Sequence, residues 1–226
     1  MTGTPFTPSR ESLRKRLRAA HLYLLVTESV AAMPWIVAAE DALRGGVDVV
    51  QLREKDLDDE EFARRAAVLQ AVCTAHRRLF VVNDRVEIAR AVGADGVHLG
   101  QGDTSVAEAR AILGPDAVIG ISTHDADELQ RALADGCDYV GVGSVFPTTT
   151  KGSPVKVGSP AELAPLAAQA EDAGVPAFAI GGIDGSSVAD VASAGFQRIA
   201  VCSGVLAAAD PAAAARSLRA TVTPPA

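Results

Sequence analysis

The side chains of this sequence able to do chemistry fall in short polar clusters. One is Gly141-Val-Gly-Ser-Val-Phe-Pro-Thr-Thr-Thr-Lys-Gly152. Its glycines let backbone N–H groups approach a ligand closely. The hydroxyls of Thr148, Thr149 and Thr150 and the ammonium of Lys151 are donors suited to phosphate oxygens. The plain alternative is a solvated turn, because Thr, Gly and Pro are ordinary loop residues. Arg53 and Lys55 form a second cluster, with Glu54 between them as an acid or an ion-pair partner. Asp84 and Asp103 are hard oxygen ligands of the kind that hold Mg²⁺ together with waters and substrate phosphates; each also precedes a predicted helix and could simply cap it. Gly181-Gly182 and Cys202-Ser203-Gly204 offer backbone N–H groups near a predicted helix start, a phosphate-binding arrangement, or merely turn a corner. Arg53, Lys55 and Lys151 with a divalent ion would neutralise a diphosphate, while the glycine loops would hold a monophosphate. His98 and His124 read as satisfied, partly buried side chains or as bases, and Tyr23 as a pocket floor.

Positioning these groups requires a frame, and the apolar pattern supplies one. Short apolar runs near residues 21–27, 47–52, 79–82, 96–99, 118–122, 139–142, 177–180 and 198–201 alternate with helical patterns. Asp58-x-x-Glu61, Ser105-x-x-Glu108 and Asp125-x-x-Glu128 read as helix starts. Continuous apolar strands joined by helices imply a parallel sheet covered by helices. Eight such units predict an α/β fold with a single (β/α)₈ TIM barrel, in which reacting groups sit at the C-terminal ends of the strands. Every polar cluster above follows a predicted strand. Gly46-Val-Asp48, Gly93-Ala-Asp95 and Gly136-Cys-Asp138 recur before even-numbered strands, with Gly195 a looser copy. Gly fits the left-handed end of a helix, and the three aspartates at the opposite face read as structural.

The bulk numbers bound the rest. The 226 residues carry a net charge of −7, which argues against nucleic acid or an anionic membrane as the main partner. The expected partners are small molecules, with a homo-oligomer left open. Cys73, Cys137 and Cys202 show no C-x-x-C pairing and read as reduced thiols of a cytoplasmic protein. No apolar run approaches a bilayer-spanning length, and the first residues lack the apolar core of a secretory signal. Residues 1–18 read as an extension with room for a short helix at its end, 19–220 as the barrel and 221–226 as a frayed tail.

The motifs Val50-Gln-Leu-Arg-Glu-Lys55, Val82-Asn-Asp-Arg85, His98-Leu-Gly-Gln-Gly-Asp103, Gly120-Ile-Ser-Thr-His124, Pro147-Thr-Thr-Thr-Lys151 and Ile180-Gly-Gly-Ile183 occur in an order that resembles the thiamine-phosphate synthase family. The resemblance covers residues 22–220. It implies Mg²⁺-dependent coupling of a hydroxymethylpyrimidine diphosphate to a thiazole phosphate, with loss of pyrophosphate and capture of a pyrimidine-methyl cation. It assigns Gln51, Arg53, Lys55, Asn83, Ser122 and Lys151 to the pyrimidine diphosphate, with Leu52 and Glu54 alongside. It assigns Asp84 and Asp103 to Mg²⁺. Thr148, Thr149, Thr150, Gly181, Gly182, Cys202 and Ser203 go to the thiazole phosphate. Arg53, Lys55, Lys151 and Ser122 are the expected catalytic residues, and residues 141–152 are the first candidate for a closing lid. Ser144 stands where relatives often have Pro. The alternatives are a thiazole tautomerase-type isomerase of the same fold, which needs no metal clamp, and a non-catalytic phosphate-ligand sensor.

Overall fold

A computed structural model describes residues 10–148 and 157–223. The strands β1 (Leu22–Val26), β2 (Val49–Leu52), β3 (Leu79–Asn83), β4 (Gly96–Leu99), β5 (Val118–Thr123), β6 (Tyr139–Gly143), β7 (Ala177–Ile180) and β8 (Ile199–Val201) pair in parallel in chain order. β8 pairs back onto β1, so the barrel is closed. The helices are α1 (Arg10–Arg18), α2 (Trp35–Arg44), α3 (Asp59–Ala75), α4 (Val86–Val92), α5 (Val106–Leu113), α6 (Ala126–Ala134), α7 (Pro160–Asp172), α8 (Val188–Ser193), α9 (Ser203–Leu206) and α10 (Pro211–Val222). This is the (β/α)₈ architecture that the alternating apolar pattern predicts.

Side chains alternate across each strand, and the core divides accordingly. Leu22, Leu24, Val26, Val50, Leu52, Phe80 and Val82 pack outward against the helices. Tyr23, Leu25, Val49, Leu79, Val81, Val118, Tyr139, Phe178 and Ala200 fill the barrel interior. Helix starts are fixed by side chains: Ser105 with Glu108 and Ser159 with Glu162 form complete capping boxes. Asp58 accepts from the Glu61 N–H, but the Glu61 carboxylate turns to Arg64 and Arg65 rather than completing a box.

The floor of the barrel is ionic and buried. Asp48 accepts from the N–H groups of His21 and Leu22 and from Arg78 and Arg219. Asp95 accepts from Phe80 N–H, and Asp138 from Ile119 N–H, Arg110 and Arg14. The repeated aspartates thus tie β2 to β1, β4 to β3 and β6 to β5. Burial alone would raise the Asp138 carboxyl, but the Arg110 hydrogen bond and the Ile119 N–H hold it below its ordinary range.

At the N-terminal end the short helix expected at the close of residues 1–18 spans Arg10–Arg18, and its Leu13 and Leu17 are buried with the interior cluster. At the other end α10 continues to Val222, which is buried, so the helix runs into the first residues of the segment read as a tail.

Candidate functional site

The C-terminal rim collects most of the predicted residues. Gln51 and Arg53 leave β2 on the interior side: Gln51 pairs in register with Leu25 and Val81, and both are interior residues. Gln51 Nε2 donates to Tyr23 Oη at 2.7 Å. Arg53 is buried, with its backbone clamped by Val26 O (2.9 Å) and the Thr27 hydroxyl (2.7 Å). Between them Leu52 packs outward in the strand–helix layer, so its side chain does not join the cluster. Glu54 accepts from Glu28 N–H and lies 3.5 Å from Arg65. Its ion-pair partner is therefore Arg65, not the flanking Arg53 or Lys55, and burial raises its carboxyl.

Asp84 and Asp103 approach closely enough to share a hydrogen bond, and Lys55 acts on Asp84 through its charge. Burial and the neighbouring Asp103 carboxyl push Asp84 up to about 6, against the lowering effects of Lys55 and Asn83. Asp84 also has φ +58°, a left-handed conformation uncommon for a non-glycine residue and a mark of functional sites. The capping alternative fails for both: the N-caps of α4 and α5 are Arg85 and Ser105, and Asp103 Oδ2 instead accepts from Gly100 N–H at 2.7 Å. Two carboxylates held against their mutual repulsion, with a lysine close by, fit the donor set of a divalent cation completed by waters and phosphate oxygens. Among the described residues no group of three or more His, Cys, Asp or Glu side chains forms a closed metal site.

On the same rim a small pocket is lined by Arg53, Ser144, Thr148, Gly181, Gly182, Cys202 and Ser203. The loops after β6, β7 and β8 meet here backbone to backbone. A Cβ on Gly181 (φ +110°) would lie 1.9 Å from Ser144 Oγ, and one on Gly182 (φ +61°) 2.5 Å from Pro147 O. These glycines are therefore required by close approach as well as by backbone conformation. Cys202 is the N-cap of α9 and offers no side-chain cap, so the first N–H groups of that turn, which have no intrahelical partner, begin at the cavity. Burial raises the Cys202 thiol to about 11, keeping it neutral.

Ser122 projects inward from β5 and its hydroxyl lies 3.0 Å from His98 Nε2. His98 is thus a buried, partnered side chain. His124 is held by Glu128 at 2.7 Å, a local contact one helical turn apart. Asn83 is buried at the end of β3 beside Asp84. Thr149, Thr150 and Lys151, and with them the last third of the predicted lid, lie outside the described residues. Sequence reasoning missed Ser144 as a lining residue and Tyr139 as an interior polar group. Tyr139 occupies the position after the repeated aspartate, where the other copies have Val49 and Gly96, and that departure was the available signal.

The chain matches the family described as thiamine monophosphate synthase over residues 22–205. It is 41% identical to a thiamine-phosphate synthase of Moorella thermoacetica over 203 residues, covering 89% of this chain and 95% of that one. It is 44% identical over 195 residues to a thiamine-phosphate synthase of Nostoc sp., covering 86% of this chain and 54% of the relative. The chain spans about half the length of several such cyanobacterial relatives. Among solved structures it resembles a thiamine phosphate pyrophosphorylase from Pyrococcus furiosus, with TM-score 0.81 and 34% identity over 93% of this chain and 97% of that one. A 3-hexulose-6-phosphate synthase at 21% identity and TM-score 0.61 shares the fold.

Proposed function

The chain belongs to the thiamine monophosphate synthase family, and on that premise we propose that it couples a 4-amino-2-methylpyrimidine bearing a diphosphooxymethyl group to a thiazole phosphate. The products are thiamine phosphate and pyrophosphate. The observation that carries the reading is the pairing of Asp84 with Asp103 near Lys55, on the same rim as a cavity lined by Arg53 and the Gly181-Gly182 backbone. That is a clamp for a leaving diphosphate beside a seat for a monophosphate.

In this reading Gln51 and Ser122 bind the pyrimidine, with Asn83 next to them. Arg53 and Lys55, together with Lys151 from outside the described residues, neutralise the diphosphate as its C–O bond breaks. Charge stabilisation of this kind is worth most in a site sheltered from water. The methylene carbon, left as a cation, is captured by the lone pair of the thiazole nitrogen, whose phosphate rests on Thr148, Gly182 and Ser203. No side chain has to remove a proton for that bond to form, which suits a site whose two candidate histidines are engaged by Ser122 and Glu128. Asp84 and Asp103 would hold Mg²⁺, which when bound supplies positive charge to the departing diphosphate.

Residues 19–220 then form the catalytic barrel. Among the described residues no helix is long and apolar enough to cross a membrane. The three free cysteines accord with a reducing, cytoplasmic setting. The test is pyrophosphate release: it should require both substrates together. Release from the pyrimidine diphosphate alone at the same rate would make the chain a hydrolase instead.

A further inference from the structure

A continuous row of hydrogen bonds crosses the inside of the barrel. Gln51 Nε2 lies 2.7 Å from Tyr23 Oη, Tyr23 Oη 2.9 Å from Tyr139 Oη, Tyr139 Oη 3.1 Å from His98 Nδ1, and His98 Nε2 3.0 Å from Ser122 Oγ. Tyr23, Gln51, His98 and Tyr139 are all buried. At one end Gln51 Oε1 is buried and has no hydrogen-bond partner among the described residues. Room for the row is made by a missing side chain: a Cβ on Gly120 would fall 2.0 Å from Tyr139 Cζ.

Proton counting constrains this row. Burial pushes both phenols well above their ordinary range, so each carries one hydrogen and can donate once. A neutral imidazole carries one N–H, and both His98 nitrogens have an oxygen partner. Only two orders make every bond and use both phenol hydrogens within the row. In the first, Gln51 donates to Tyr23, Tyr23 to Tyr139, Tyr139 to His98 Nδ1, and His98 Nε2–H to Ser122. Gln51 then presents a carbonyl oxygen and Ser122 presents its proton. In the second order every bond is reversed: Gln51 presents its NH₂ group and Ser122 a lone pair. The two ends are therefore coupled: any other order leaves a buried phenol hydrogen outside the row. A mismatch anywhere in the row leaves a buried polar group unsatisfied, which costs more than the bond itself gains.

We propose that this row links the two ends of the pyrimidine site, with Tyr139 as a specificity-determining positioning residue. An amino group of the ligand on Gln51 Oε1 fixes the order in which Ser122 donates its proton to a ligand acceptor. A carbonyl in place of that amino group reverses the row and turns a Ser122 lone pair toward the same acceptor. Discrimination between amino and oxo pyrimidines is thus enforced at both ends at once. The identity of the ligand rests on the function proposed above; the coupling rests on the geometry of the row.

Two measurements test it. The first compares kcat/KM for the 4-amino and 4-oxo pyrimidine diphosphates. In Tyr139→Phe, which keeps the ring and removes the hydroxyl, the preference for the amino compound should fall roughly tenfold, the value of one neutral hydrogen bond. Tyr23→Phe cuts the row at its next joint and should do the same. An unchanged preference in a folded variant of either kind overturns the proposal. The second uses the full chain labelled with ¹⁵N-histidine, the His98 signals being assigned by their loss in His98→Asn. Saturating 4-amino-5-hydroxymethyl-2-methylpyrimidine should drive His98 to the Nε2–H tautomer, and its 4-oxo analogue to the Nδ1–H tautomer. Tyr139→Phe should answer to neither. The same tautomer with both ligands, or no response to either, overturns the proposal whatever the synthase assay gives. A tautomer response without synthase activity would instead leave the row standing and remove the proposed function.

Discussion

Asp84 offers a sharp test because its charge opposes the fold that holds it. Burial and the Asp103 carboxyl raise it from an ordinary 3.8 to about 6. A carboxyl raised on folding binds more protons folded than unfolded. Its favourable contribution is therefore full below the unfolded value and is lost as pH rises through the folded one. Between pH 7.5 and pH 5 linkage gives about 1.4 kcal/mol, and solvent screening of a half-buried group reduces this to roughly 1 kcal/mol. For a domain of this size that is roughly 2–4 °C in melting temperature. The perturbation is Asp84→Asn, which removes the charge and keeps the shape. In metal-free buffer the variant should melt above the wild type at pH 7.5. Its advantage should shrink by those few degrees as pH falls to 5, while other titrating groups cancel in the difference. Adding Mg²⁺ at pH 7.5 should raise the wild type and leave the variant where it was. A difference between the two proteins that stays flat from pH 7.5 to 5 would refute the reasoning.

Two further substitutions probe the barrel interior and its floor. Gly120→Ala places a Cβ 2.0 Å from the Tyr139 ring, and overpacking of this kind should cost about 1–3 kcal/mol, read from urea unfolding. Asp138→Asn leaves Arg110 and Arg14 facing a neutral group at the barrel floor. It should lower stability by about 3 kcal/mol, as breaking a buried ion pair does, and leave the KM of both substrates within twofold because the floor lies at the far end of the strands.

The barrel was readable because its signal is repeated: apolar runs spaced by capped helices, and Gly-x-Asp copies before alternate strands. The rule that chemistry sits at the C-terminal strand ends then selected Asp84, Asp103 and the Gly181-Gly182 loop without reference to their contacts. Three features were not readable for physical reasons. Leu52 looked like a ligand contact because it sits inside a polar motif, yet strand alternation turns it outward. The role of α1 depends on Leu13 and Leu17 meeting side chains from β3 and β5, a contact distant in sequence. The Gln51–Ser122 row joins residues from five strands, and its central member, Tyr139, reaches across only because Gly120 on the neighbouring strand has no side chain. Pairings of that kind are set by register, which no local pattern encodes.

The central claim is the coupling reaction, and product identification by mass spectrometry tests it most directly. The purified chain, supplied with the pyrimidine diphosphate, the thiazole phosphate and Mg²⁺, should yield thiamine phosphate and pyrophosphate in equal amounts, with turnover abolished by a chelator and restored by added Mg²⁺. Absence of thiamine phosphate under these conditions, or its formation at full rate in the presence of the chelator, would contradict the account.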